Sequence, residues 1–230
     1  MDFNKDSFEV RRIPFSEAKE WVLYKHYAHR VPMICYAFGL YETQNGDGCM
    51  NASLQGVCTF GVPASQDLII GAMGIEYKDN FLELNRLVVN EGLPRNALSF
   101  FVSRCLKMLP RPMVVISYAD SGMNHHGYIY QATNWIYTGL SKPHTDYLPE
   151  GKEGMHVRSL YNNFSIKTTD LKMVKVERSQ KYRYFQFLGD KRQVRKMKKD
   201  LKFPIVKEYP KGDNVRYDAS YETSPNGVLF

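Results

Sequence analysis

The sequence has no run approaching about eighteen apolar residues, which excludes a membrane-spanning helix. Its start, MDFNKDSFEV, lacks the basic-then-apolar pattern of a secretory signal. Cysteine is scarce. Cys35, Cys49, Cys58 and Cys105 form no CxxC pair and no regular spacing, so a disulfide framework and a zinc site are both unexpected. They read as reduced thiols of a cytosolic protein. GxGxxG and Walker loops are missing, and no HxxxH stands beside a carboxylate at metal-ligand spacing, so no metal is expected. No internal repeat divides the chain, and 230 residues suit one domain, alone or with an appendage.

What is present is ordinary globular composition, 43% hydrophobic and 24% charged, with 16 tyrosines. The net charge of +7 has a location. Lys172 to Lys202 holds twelve basic and three acidic residues, a net +9, so the rest of the chain carries −2. Residues 190–202, DKRQVRKMKKDLK, predict a helix capped by Asp190 and stopped by Pro204. Val194, Met197 and Leu201 form its apolar seam, and Lys191, Arg192, Arg195, Lys198, Lys199 and Lys202 cover most of the rest. Just before it, KYRYFQFL interleaves rings with Lys181 and Arg183. Such a strip suits a solvated face or an anionic membrane; cations beside stacking rings favour nucleic acid.

Hydrophobic periodicity predicts a strand at 7–13, a helix opening at Ser16, and a hairpin of MICYAFGLY and LQGVCTFGVP joined by a polar loop. A strand at 82–89, a helix from Ala97 to Leu109, a buried strand MVVISYA, a helix over Asn124–Asn134 and a strand IYTGLS follow. This order predicts an α/β (α+β) mixed sheet with helices on both faces.

Two segments carry candidate chemistry. The turn Arg95-Asn96-Ala97-Leu98-Ser99 opens a helix, where unpaired N–H groups and a partial positive charge receive phosphates. Asp120 ends the buried strand, either as a plain helix cap or at a sheet edge suited to catalysis. On the predicted helix Tyr130 faces a polar space while Tyr128 packs, although a core tyrosine is an equal reading of Tyr130. A protonated phenol there could hand its proton to a departing thiolate. Glu83 lies on a polar strand face as a second candidate base.

RLVVNEGLPRNALSFFVS, SYADSGMNHHG and GYIYQATNWIYTG together resemble the GNAT acyltransferase superfamily, and within it the bacteriophage Mom-like DNA adenine modification proteins, across roughly residues 8–165. The resemblance implies a splayed mixed sheet that binds acetyl-CoA between its two central strands. It implies catalytic roles for Asp120, Tyr130, His26 and Tyr27, and coenzyme contacts from Arg86, Arg95, Asn96, Ala97, Leu98 and Ser99. Val88 stands where the family has a tyrosine. Conversion of the adenine N6 amine of double-stranded phage DNA to a carbamoylmethyl derivative, with the base flipped out and restriction blocked, is the implied function, in the cytoplasm of the bacterial host. Acetylation of a protein, RNA or small amine and non-catalytic DNA binding are the alternatives. Residues 1–165 would form the acyltransferase domain and 166–230 a basic extension touching nucleic acid through Lys181, Arg183, Lys191, Arg192, Arg195, Lys198 and Lys199.

Overall fold

A computed structural model of the chain describes residues 3–43, 52–152 and 172–213. Seven strands form one sheet: β1 (Phe8–Arg12), β2 (Tyr36–Glu42), β3 (Ser53–Gly61), β4 (Phe81–Val89), β5 (Met113–Asp120), β9 (Lys181–Leu188) and β6 (Ile136–Leu140), in that spatial order. A separate two-stranded ribbon pairs β7 (His144–Pro149) with β8 (Met173–Arg178). The helices are α1 (Phe15–Tyr24), α2 (Gln66–Ala72), α3 (Ala97–Met108), α4 (Tyr128–Ala132) and α5 (Lys191–Asp200). Among the described residues no helix is long and apolar enough to cross a membrane.

Alternation along the strands sends side chains to two cores. Leu82, Leu84, Val115 and Tyr184 join Phe101, Val102, Cys105 and Leu106 of α3 on one face. Phe81, Val114, Ile116, Phe185 and Phe187 join Ile69 of α2 and Met197 of α5 on the other. α1 packs on this second face too, its Ala18 and Val22 against Ala37, Val57 and Val88. The mixed sheet with helices on both faces is therefore as the sequence predicts.

The sheet is antiparallel except at its middle. β4 and β5 run parallel and bond only over Phe81–Glu83 and Val114–Ile116. Beyond that point β4 continues against β3, and β5 continues against β9. The two central strands splay apart. A bulge at Asn85 adds to this: Thr59 pairs Arg86 while Phe60 pairs Leu84. Asn85 is fixed by a hydrogen bond from Thr59 (2.6 Å) and by its own donation to the Met33 carbonyl (2.9 Å). Because the bulge shifts the phase of β4, Glu83 and Arg86 share the second face although three residues apart.

Two sequence expectations need correction. Residues 166–230 are not an appendage, because β9 lies between β5 and β6 and completes the sheet. Its alternating Tyr184, Phe185 and Phe187 belong to both cores. The helix expected over Asn124–Asn134 shrinks to Tyr128–Ala132. Left-handed backbone at Asn124 (φ 53°), Gly127 (φ 76°) and Asn134 (φ 60°) interrupts it on both sides. Gly127 also lies against the Tyr184 ring, where a Cβ would come within 2.5 Å. The basic helix forms as expected, with Asp190 and Gln193 bonding reciprocally at its start.

Candidate functional site

The splay opens a cleft of about 830 Å³ whose walls include His26, Tyr27, Glu83, Arg86, Tyr118, Asp120, His125, Tyr130 and Lys181. Arg95, Asn96, Leu98 and Ser99 at the start of α3 line the same cleft. Residues far apart in sequence thus meet where the sheet divides.

At the vertex, Ser117 Oγ lies 2.8 Å from the Leu84 carbonyl and 2.7 Å from the Tyr130 hydroxyl. A serine has one proton and a carbonyl can only accept, so Ser117 donates to Leu84 and Tyr130 donates to Ser117. Tyr130 is only 7% exposed, with Trp135 and Tyr184 rings 5.0 and 5.1 Å away. Burial pushes its phenol well above the ordinary tyrosine range, so it stays protonated. Tyr128, at 38%, is the exposed one, which reverses the expectation that Tyr128 packs and Tyr130 faces a polar space. The wheel used to separate them does not apply to so short a helix.

Asp120 ends β5 and both candidate readings of it hold. Its Oδ1 accepts from the Gly122 N–H (2.9 Å) and from Ser179 Oγ, capping a short 3-10 turn. Its Oδ2 is 3.8 Å from Lys181 Nζ, placed opposite it by the β5–β9 register.

His26 and Tyr27 stack at 4.3 Å, and His125 meets Tyr27 edge-on at 5.9 Å. His26 Nδ1 accepts the Ala28 N–H (3.1 Å), which leaves its proton on Nε2. Burial, then the Arg86 charge, lowers its pKa to about 3. His26 is therefore a neutral ring that supports Tyr27, not the proton acceptor expected of a catalytic histidine. Burial, then the Asp120 charge, raises the Tyr27 phenol. Arg86 donates to the carbonyls of Asn85 (2.6 Å) and Arg30 (3.1 Å), while its buried Nε has no hydrogen-bond partner.

The α3 turn departs in one respect from expectation. Ala97 is fully buried and its N–H bonds the Pro94 carbonyl (3.1 Å), so it does not line the cleft. The N–H groups of Leu98 and Ser99 precede the helical bonding pattern and remain for a ligand, beside the exposed Arg95. Asn96 adopts a left-handed conformation (φ 78°), the geometry a glycine would otherwise supply.

The basic strip is split three ways. Lys191, Arg192, Arg195, Lys198 and Lys199 are exposed on α5, whose Val194, Met197 and Leu201 pack on the second sheet face. Lys181 stands at the cleft beside Asp120. Arg183 does not reach outward as expected: it is 9% exposed, donates to Thr138 Oγ1 (2.9 Å) and the Thr138 carbonyl (3.0 Å), and lies 3.4 Å from the Phe203 ring centroid. Alternation on β9, with Phe185 and Phe187 inward, puts Arg183 under the same cover. Tyr118 and Ser117 were not singled out from sequence; their two-residue spacing from Asp120 and Ala119 was the available signal. Among the described residues no group of three His, Cys, Asp or Glu could hold a metal ion.

A mixed sheet whose parallel central strands part over a cleft, closed by a helix N-terminus on one face, defines an α/β protein built to seat an extended, anionic ligand. The chain belongs to the Mom protein family, whose model matches residues 7–211. No curated protein matches it. Among solved structures it is similar to yncA of Salmonella typhimurium, assigned as an acetyltransferase and solved with its cofactor acetyl-CoA, at 10% identity and a TM-score of 0.44 over 80% of this chain and 95% of that one. It is also similar to a GNAT-family acetyltransferase from Bacillus cereus ATCC 10987, at 9% identity and a TM-score of 0.39 over 78% and 96%.

Proposed function

We propose that the protein modifies the N6 amine of adenine in duplex phage DNA with an acyl-coenzyme A as donor, which protects that DNA from restriction in the cytoplasm of a bacterial host. One observation carries this reading. A single cleft joins a phosphate-competent helix start on one sheet face to Asp120, Lys181 and Glu83 on the face that also bears the basic surface of α5. Membership of the Mom family supports DNA modification.

The residues at the α3 turn fit a coenzyme pyrophosphate: Leu98 and Ser99 offer N–H groups, Arg95 a charge, and Asn96 the sharp turn. When bound, the coenzyme supplies an activated carbon and a thiol leaving group. Asp120 accepts a proton from the adenine amine as its nitrogen bonds that carbon. The Tyr130 phenol, kept protonated by burial, gives its proton to the departing sulfur; Ser117 then turns its hydroxyl from Leu84 to the phenolate. Lys181 holds Asp120 in its charged form. Extruding the adenine costs a few kcal/mol, which phosphate contacts from Lys191, Arg192, Arg195, Lys198 and Lys199 offset.

Mass spectrometry of nucleosides from DNA made in cells expressing the protein tests this. An added mass on deoxyadenosine is expected. Unmodified deoxyadenosine alongside acetylated protein or RNA would replace it with an acetyltransferase reading.

A further inference from the structure

Glu83 occupies the last residue pair that joins β4 to β5, opposite Ile116, and its side chain lines the cleft. Among the described residues its carboxyl makes no hydrogen bond and no ion pair. It sits on the same sheet face as Tyr118, whose ring packs against the cluster covered by α5. Every other carboxylate or phenol near the vertex has a structural partner: Asp120 has Gly122 and Ser179, and Tyr130 has Ser117. An unpartnered carboxyl in a partly dry wall, on the face where DNA approaches, has its hydrogen-bonding capacity reserved for a ligand.

We infer that Glu83, as a neutral carboxylic acid, reads the Watson–Crick edge of the extruded adenine, donating its O–H to N1 and accepting one N6 hydrogen on its carbonyl oxygen. This assignment rests on the adenine-modifying function proposed above. Adenine presents an acceptor at N1 beside a donor at N6, and a protonated carboxyl presents the matching donor and acceptor. The second N6 hydrogen is left for Asp120. Glu83 is thereby a specificity residue, and its proton does not enter the reaction.

The surroundings are consistent with a neutral acid. Burial raises the Glu83 pKa; the charges of Arg86 on its own strand, Lys181 on β9 and Arg30 after α1 oppose this, and the hydroxyls of Tyr118 and Tyr130 face it from β5 and α4. A purine in the cleft excludes further water and sets the N1 lone pair against one oxygen, and both effects favour the protonated form.

The experiment compares wild type, Glu83→Gln and Glu83→Ala on oligonucleotides containing adenine or 1-deazaadenine, which lacks the N1 acceptor. Wild type is expected to modify 1-deazaadenine about 10–100-fold more slowly than adenine, the worth of a good bidentate base contact. Glu83→Ala is expected to be slow on both bases, with no discrimination between them. Glu83→Gln, which offers an N–H donor and a carbonyl acceptor at any pH, is expected to restore adenine modification to within about tenfold of wild type and to lose less activity as pH rises. Equal wild-type rates on the two bases would overturn the assignment. So would Glu83→Gln as inactive as Glu83→Ala, which would make the carboxylate a proton acceptor. Wild type that leaves adenine untouched overturns the function itself, and this assignment with it.

Discussion

The Tyr130 hydroxyl donates to Ser117 Oγ across 2.7 Å, at the point where the two central strands part. The bond ties the phenol's proton to the vertex of the sheet and fixes the ring whose edge lines the cleft. Tyr130→Phe removes the proton donor but leaves Ser117 bonded to Leu84. A net loss near about 1 kcal/mol is expected, with a Tm lowered by only a few degrees. Modification should fall by about 100-fold or more. Thermal melts and nucleoside mass spectrometry on the same variant separate the two effects. Near-normal modification would remove Tyr130 from the proton path.

His26 links stability to pH. Its folded pKa is near 3 and its unfolded value near 6.5, so between these limits the unfolded chain binds the extra proton. Stability is therefore fully present above pH 6.5 and falls as pH drops toward 3, by about 1.4 kcal/mol per unit from this group. Urea unfolding at pH 7, 6, 5 and 4 reads the slope. His26→Gln, which cannot protonate, should fall more gently by that amount, while carboxylates common to both proteins cancel. Parallel slopes would mean that His26 is hydrated in the folded protein.

Charge on α5 and charge at Arg183 should separate cleanly. Replacing Arg195, Lys198 and Lys199 by alanine removes up to three exposed phosphate contacts. It should weaken duplex binding uniformly across sequences and lower the salt slope by about 2–3. Arg183→Met should leave that slope unchanged and lower Tm, because Thr138 loses two hydrogen bonds and Phe203 its cation. Anisotropy titrations at several salt concentrations, alongside thermal melts, check both. A salt slope changed by Arg183→Met alone would contradict the buried placement.

Strong local patterns made much of this fold legible. The α5 seam of Val194, Met197 and Leu201, its Asp190 cap, and the apolar strand ending at Asp120 are all set by periodicity and capping that act within a few residues. Non-local pairing hid the rest. Nothing near Lys181 says that β9 inserts between β5 and β6, so a sheet strand reads from sequence as part of a basic tail. The helix around Tyr130 fails because left-handed residues at Asn124, Gly127 and Asn134 override periodicity. The same holds for Glu83 and Arg86, which strand alternation puts on opposite faces and the Asn85 bulge returns to one. Of the candidate site, Asp120, Tyr130 and the α3 turn were named from sequence, whereas Ser117 and Tyr118 become visible only through contacts across the splay.

The central claim is that one cleft presents a coenzyme-borne group from the α3 side to an adenine on the α5 side, with Asp120 between them. Purified protein incubated with a duplex oligonucleotide and acetyl-CoA labelled in its acetyl group tests this most directly, with nucleosides separated after digestion. Label on deoxyadenosine with wild type, and its loss with folded Asp120→Asn, is the predicted result. Label absent from every nucleoside, or equal incorporation by wild type and Asp120→Asn, would contradict the account.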